Sequence, residues 1–122
     1  FDQEHLRRIL VNLLDNARRY ATDTPGAITL RLERHSDEHV VLSVASDGDP
    51  IGPDIEPYLF EPFFSTRSRG TGLGLYICRE LCERYDATID YWKHPPGSRH
   101  VNEFRVVLRS VATLEPIESR LL

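Results

Sequence analysis

Apolar residues recur at helical spacing from the start of the chain: Leu6, Ile9, Leu10, Leu13, Leu14, Ala17 and Ala21 form one stripe. Asp2 stands where an N-cap is needed, and Glu4 adds negative charge to the first turn. The run Thr22-Asp23-Thr24-Pro25-Gly26 breaks that helix. Residues 27–34 then alternate, with Ile28, Leu30 and Leu32 on one side, and residues 40–45 are rich in β-branched side chains. Together they predict an antiparallel hairpin turning at residues 35–38. Residues 46–54 carry turn chemistry, with a short helix expected from Ile55 into Phe60. A second long helix opens at Leu73 and Leu75 and runs through Ile77, Cys78, Leu81, Cys82 and Tyr85. Residues 87–92 and 101–108 predict another hairpin around His94-Pro95-Pro96-Gly97. Residues 111–122 show no pattern and read as a tail, leaving one domain over residues 1–110. Elements in the order α-β-β-α-β-β predict an α+β two-layer sandwich, with helices on one face of a mixed sheet.

At 122 residues, 40% hydrophobic and 28% charged, the chain is the size of one domain with a single core. A formal net charge of -4 argues against nucleic acid as a partner, because affinity for a phosphate backbone needs clustered Lys and Arg in excess. No apolar run approaches the roughly 18 residues of a membrane span, so no direct membrane contact is expected of this segment. Cys78 and Cys82 lie one helical turn apart on an apolar face, and with no further ligands at metal-site spacing they read as reduced core thiols.

Candidate chemistry concentrates in residues 60–75, FEPFFSTRSRGTGLGL. Gly70, Gly72 and Gly74 let the backbone approach a ligand closely, and the helix that follows offers bare N–H groups suited to phosphate. The loop is neither G-x-x-x-x-G-K-[ST], which would need a Lys, nor G-x-G-x-x-G, whose third Gly would come one residue later. Upstream, Asn12, Asn16 and Arg19 fall within about 60° of one another on the first helix, forming a polar stripe beside the apolar one, with Tyr20 between the two. A lone helical Asn ordinarily marks a solvated flank; two on one stripe, followed by Arg and Tyr and by the glycine loop, point to a site.

VNLLDNARRY, FEPFF and GTGLGL, in that order, resemble the nucleotide-binding boxes of sensor histidine kinases, and the resemblance runs from Asp2 to about Arg109. The segment GTGLGLYICRELCERYDATIDYW most resembles the kinases that control type IV pilus genes. The resemblance implies the Bergerat fold, in which nucleotide lies between the helix layer and a lid, here from about Gly52 to Arg69. It implies ATP and Mg2+ as cofactors, with Asn16 as the magnesium ligand, Arg19 as a phosphate contact and Tyr20 beside the base or ribose. Arg67 and Arg69 are candidates for the terminal phosphates, Arg67 foremost and with a catalytic role. Phe60, Gly70, Thr71, Gly72, Leu73, Gly74 and Leu75 complete the nucleotide-binding set. Related hydrolases of the gyrase, Hsp90 and mismatch-repair types carry Glu one turn before the magnesium Asn. Asn12 at that position favours phosphoryl transfer over hydrolysis, because water lacks a base.

His5, His35, His39, His94 and His100 all lack the His-Glu context of the family's phosphoacceptor. The expectation is a catalytic domain whose acceptor lies on a separate dimerisation domain, with a response regulator as the final partner. The resemblance implies a cytoplasmic domain whose parent chain is open to anchoring in the inner membrane. The adenine box departs from the family: D-x-G-x-G is replaced by Ser46-Asp47-Gly48-Asp49-Pro50, followed by Ile51. By alternation Ser46 continues the Val40, Leu42, Val44 side, so a serine stands where the base-reading carboxylate is expected. This departure keeps open a degenerate interaction module that no longer uses nucleotide; a hydrolase or serine kinase of the same superfold is the other alternative.

Overall fold

The computed structural model describes residues 1–64 and 73–109. Helix α1 (Gln3–Tyr20) starts at Asp2, whose carboxylate accepts from the Glu4 and His5 N–H groups at 2.7 and 3.4 Å. Arg18 and Arg19 lie in its last turn, where cations suit the negative end of the helix dipole. Its stripe is buried at Ile9, Leu13 and Ala17. Helix α2 (Gly74–Arg84) runs antiparallel to it. Phe1 stacks on Tyr85 at 4.0 Å between ring centroids, His5 Nδ1 lies 2.6 Å from the Tyr85 hydroxyl, and Asn12 meets the other end of α2 at Gly74.

Strands β1 (Ile28–Arg34), β2 (His39–Ser46), β3 (Thr88–Lys93) and β4 (Asn102–Arg109) form a sheet in the order β1-β2-β4-β3. Leu42, Val44, Phe104, Val106, Leu108 and Ile89 lie on the helix side, in one core with Ile9, Leu13, Cys78 and Cys82. Both thiols are free and buried. Burial, then the neighbouring Cys82, push the Cys78 thiol up to about 12, and burial does the same for Cys82.

The α+β sandwich stands, but the expected mixed sheet does not: every described pairing is antiparallel. The crossover through α2 sets β3 parallel to β2, yet β4 inserts between them and turns each contact antiparallel. The alternation of β1 holds, with its apolar side toward the helices. Leu30 and Leu32 do share the helix-side face, but they are 50% and 67% exposed. Helix α1 packs on β2 and α2 on β3, so edge strand β1 lies at the margin of the helix layer. The short helix expected after Ile55 is a single 3-10 turn, Glu56–Tyr58, in a stretch where Pro53, Pro57 and Pro62 withhold backbone donors. Within the first part of the expected lid, Leu59 is buried and Ile55 and Phe60 pack against the core, as does buried Ile51 just before it. The lid residues 65–69, the glycine-loop residues 70–72 and the tail assigned to 111–122 lie outside the described residues.

Candidate functional site

Two close approaches define the site along α1. At its C-terminal end, Gly48 adopts φ +101, and a Cβ there would come within 2.0 Å of the Tyr20 carbonyl oxygen, so only glycine lets the 46–51 loop press against the helix. Near its middle, a Cβ on Gly74 would sit 3.7 Å from Asn12 Oδ1, so the start of α2 abuts the Asn12 carboxamide. Beneath Asn12, the buried Cys78 thiol donates to the Ile9 carbonyl oxygen at 3.7 Å. Between these two points lie half-buried Asn16 and exposed Arg19. Asn12 and Tyr20 are roughly 12 Å apart along the axis.

Leu73 at the start of α2 makes no side-chain cap hydrogen bond, and no acidic residue occupies the first turn, which suits that end to an anion. Leu75 packs against the core, and Phe60 stands edge-on to Phe104 at 6.1 Å between ring centroids. On the outer side of the helix pair, a groove of about 640 Å3 lined by Arg7, Arg8, Val11, Ile77 and Arg84 reaches Asn12.

Ser46 ends β2 at 4% exposure, directly across from Asn102. Asp47 turns the other way, as alternation predicts. Its carboxylate accepts from the Thr22 N–H at 2.8 Å and the Thr22 hydroxyl at 2.7 Å, and those bonds hold it below its ordinary value. Asp47 thereby ties the 22–24 turn to the loop. The structure thus gathers Asn12, Asn16, Arg19, Tyr20, Gly48, Leu73, Gly74 and the Ser46–Ile51 loop around one side of α1. The sequence-derived residues Arg67, Arg69, Gly70, Thr71 and Gly72 lie outside the described residues.

A model of the histidine kinase-, DNA gyrase B-, and HSP90-like ATPase family matches residues 1–111. The chain belongs to that family. It is 43% identical over 99 residues to the sensor protein kinase PilS of Pseudomonas aeruginosa, a match covering 79% of this chain and 19% of that protein. Among solved structures, a mycobacterial sensor histidine kinase, MprB, is similar with a TM-score of 0.78 at 26% identity, covering 89% of this chain and 74% of that one. Full-length ShkA in complex with AMPPNP is similar with a TM-score of 0.67 at 28% identity, over 85% of this chain and 21% of that one. The chain therefore spans about a fifth of the length of PilS. It is a catalytic, ATP-binding domain of the sensor histidine kinase type. Among the described residues, no helix is long and apolar enough to cross a membrane.

Sequence reasoning missed two residues of this kinase-type domain. Asn102, 2% exposed, accepts through Oδ1 from the Ile51 N–H at 3.2 Å and from the Tyr91 hydroxyl, and donates through Nδ2 to the Asp49 carbonyl at 2.8 Å. The Tyr91 hydroxyl also accepts from the Ile51 N–H at 3.3 Å, and burial holds the phenol above its ordinary value, so it remains a donor. A signal was present: Asn102 shares the parity of Phe104, Val106 and Leu108, and a polar residue on the apolar side of a strand calls for partners.

Proposed function

We propose that this domain binds ATP with magnesium along α1 and transfers the γ-phosphoryl group to a histidine on a separate dimerisation domain of its parent protein, from which a response regulator receives it. The observation that carries the reading is Asn12 set against the start of α2, whose first turn holds no acidic side chain: an anion-suited helix end with a neutral amide where a hydrolase needs a carboxylate. In this reading the first turn of α2, with Leu73, Gly74 and Leu75 and the preceding Gly70, Thr71 and Gly72, receives the phosphates. Arg19, Arg67 and Arg69 offset their charge, and Asn16 holds the magnesium. Tyr20, Ser46, Gly48, Ile51 and Phe60 enclose the nucleoside end, with Asp47 fixing the loop. The groove that ends at Asn12 gives an acceptor side chain an approach from outside the helix pair. The domain works on the cytoplasmic side of a parent chain anchored in the inner membrane.

The donor set suits magnesium only with nucleotide present. No group of three or more His, Cys, Asp and Glu gathers among the described residues, so the Asn16 carbonyl supplies an oxygen while the phosphates must supply the charge. Bound there, the ion would screen the phosphate oxygens during transfer. The expected result is magnesium-dependent binding of an ATP analogue in calorimetry, weakened roughly tenfold or more by Asn16→Ala. The domain alone, given labelled ATP, should yield neither phosphohistidine nor rapid phosphate release until its dimerisation domain is added. Binding unchanged by a chelator would remove the assignment of Asn16, and rapid turnover by the isolated domain would favour the hydrolase. One observation favours a second reading, a module that no longer uses nucleotide: Ser46 and Pro50 occupy the box that ordinarily reads adenine. Absence of any nucleotide binding would select it.

A further inference from the structure

The loop that follows β2 is held from one side by a buried carboxamide. Asn102 begins β4, 2% exposed, and three of its four hydrogen-bonding positions are already engaged. Two of those bonds go to the loop itself, one to the Ile51 N–H and one to the Asp49 carbonyl, on either side of Pro50. The third comes from Tyr91, whose ring packs against Phe104 at 5.3 Å between centroids and so fixes the rotamer of the amide. A hydroxyl at position 102 could not span both loop groups, because it is shorter and its single oxygen would have to meet both. The opposite side of the loop is closed by Gly48 against the Tyr20 carbonyl and by Asp47 on Thr22.

We propose that Asn102 and Tyr91 form a clamp that pre-sets the 49–51 loop for the nucleoside end of the ligand, offsetting the loss of the base-reading carboxylate at Ser46. This rests on the assignment of that loop as the base site. Ser46 faces Asn102 across the β2–β4 pair, so the weakened box and the clamp are neighbours in register. With so few free positions Asn102 does not read the base; it is a positioning residue. A loop ordered before the ligand arrives spares binding the cost of ordering it, and Pro50, in place of a glycine, narrows the same loop further.

A lesion in the clamp should therefore cost affinity for a whole nucleotide and leave binding of its phosphate chain alone. The experiment measures magnesium-dependent affinity for an ATP analogue and for tripolyphosphate on the wild-type domain, Tyr91→Phe and Asn102→Ala, with thermal unfolding in parallel. Tyr91→Phe removes one hydrogen bond while keeping the ring contact with Phe104. It should weaken the ATP analogue by roughly three- to tenfold, with Asn102→Ala weakening it more and tripolyphosphate unchanged in both. A merely structural role would lower both affinities together, leaving their ratio fixed, and that outcome overturns the clamp while leaving the base site in place. Unchanged affinity for the analogue in Tyr91→Phe and Asn102→Ala overturns it as well. If the wild type binds the analogue no better than tripolyphosphate, the loop is not a base site and the proposal falls with that assignment.

Discussion

In the proposed nucleotide site, the side chain of Ser46 decides how the base is read. It is 4% exposed at the end of β2, and in the proposed assignment it stands where a carboxylate would accept the adenine amino group. A serine hydroxyl can accept there, but it can also donate by rotating, so guanine, which presents a carbonyl, is less strongly refused. Charged acceptors make hydrogen bonds worth about 1.5–3 kcal/mol against about 0.5–1.5 for neutral ones, so the exchange costs about tenfold in affinity. Asp47 does not supply the missing group, because Thr22 and Thr24 already engage its carboxylate. Ser46→Asp should therefore tighten binding of an ATP analogue about tenfold and widen its margin over the GTP analogue. It should also lower the melting temperature without ligand, since a carboxylate so buried is poorly solvated. Paired titrations of both analogues on both proteins decide the matter; tight, selective binding by the wild type with no gain from Ser46→Asp would mean that other groups read the base.

Among the elements, α2 ends under strain that one substitution can relieve. Tyr85 caps it, the Ala87 N–H returns to the Cys82 carbonyl at 2.8 Å, and Asp86 between them adopts φ 60. A left-handed conformation is costly for a residue with a Cβ, and a carboxylate beside the negative end of a helix dipole adds repulsion. Asp86→Gly removes both and should raise stability by about 1 kcal/mol, net of glycine's greater chain entropy. Urea unfolding measures it, and a lowered midpoint would show that Asp86 has a compensating partner. The elements themselves were legible because their signals are local: Asp2 as a cap, the 6-9-10-13-14-17 stripe, and alternation in the strands. What the sequence concealed depends on neighbours that sequence spacing does not encode. The insertion of β4 between β2 and β3 is a tertiary fact, as is the exposure of Leu30 and Leu32 beyond the edge of the helix layer. Of the site, the α1 stripe and the Ser46 departure could be read from motifs. The Asn102–Tyr91 clamp could not, because its partners lie 51 and 11 residues from Asn102 and meet only when the sheet forms.

On the scale of the whole molecule, the sheet separates an apolar side facing the helices from an outer side where charges must settle their own balance. There Glu103, 8% exposed, accepts from Arg105 and lies 2.6 Å from His94 Nε2, while Arg105 stacks over Trp92 at 4.5 Å. Burial, the largest single influence, raises the Glu103 carboxyl. The hydrogen bonds and charges of Arg105 and His94 together outweigh it and hold the group below its ordinary 4.5. The loop between β3 and β4 reaches from this cluster across the same end of the sheet to the β1 side, where Arg99 donates to the Pro25 carbonyl at 2.6 Å and His100 to that of Gly26 at 2.7 Å. Those contacts meet the 22–24 turn that Asp47 holds from the opposite side, so two depressed carboxylates brace the same end of the molecule. A carboxyl held low in the folded state adds stability that is complete above its unfolded value and is lost as pH falls through the folded one. For Glu103 that loss lies below 4.5 and for Asp47 below 3.8. Glu103→Gln keeps an acceptor and the shape but not the charge, so it should melt below the wild type at pH 7, with the gap closing as both are taken toward pH 3. Melting curves of the two proteins across that range provide the measurement. A gap that stays constant, or widens on acidification, would mean that the ionised Glu103 contributes nothing to holding the outer face together.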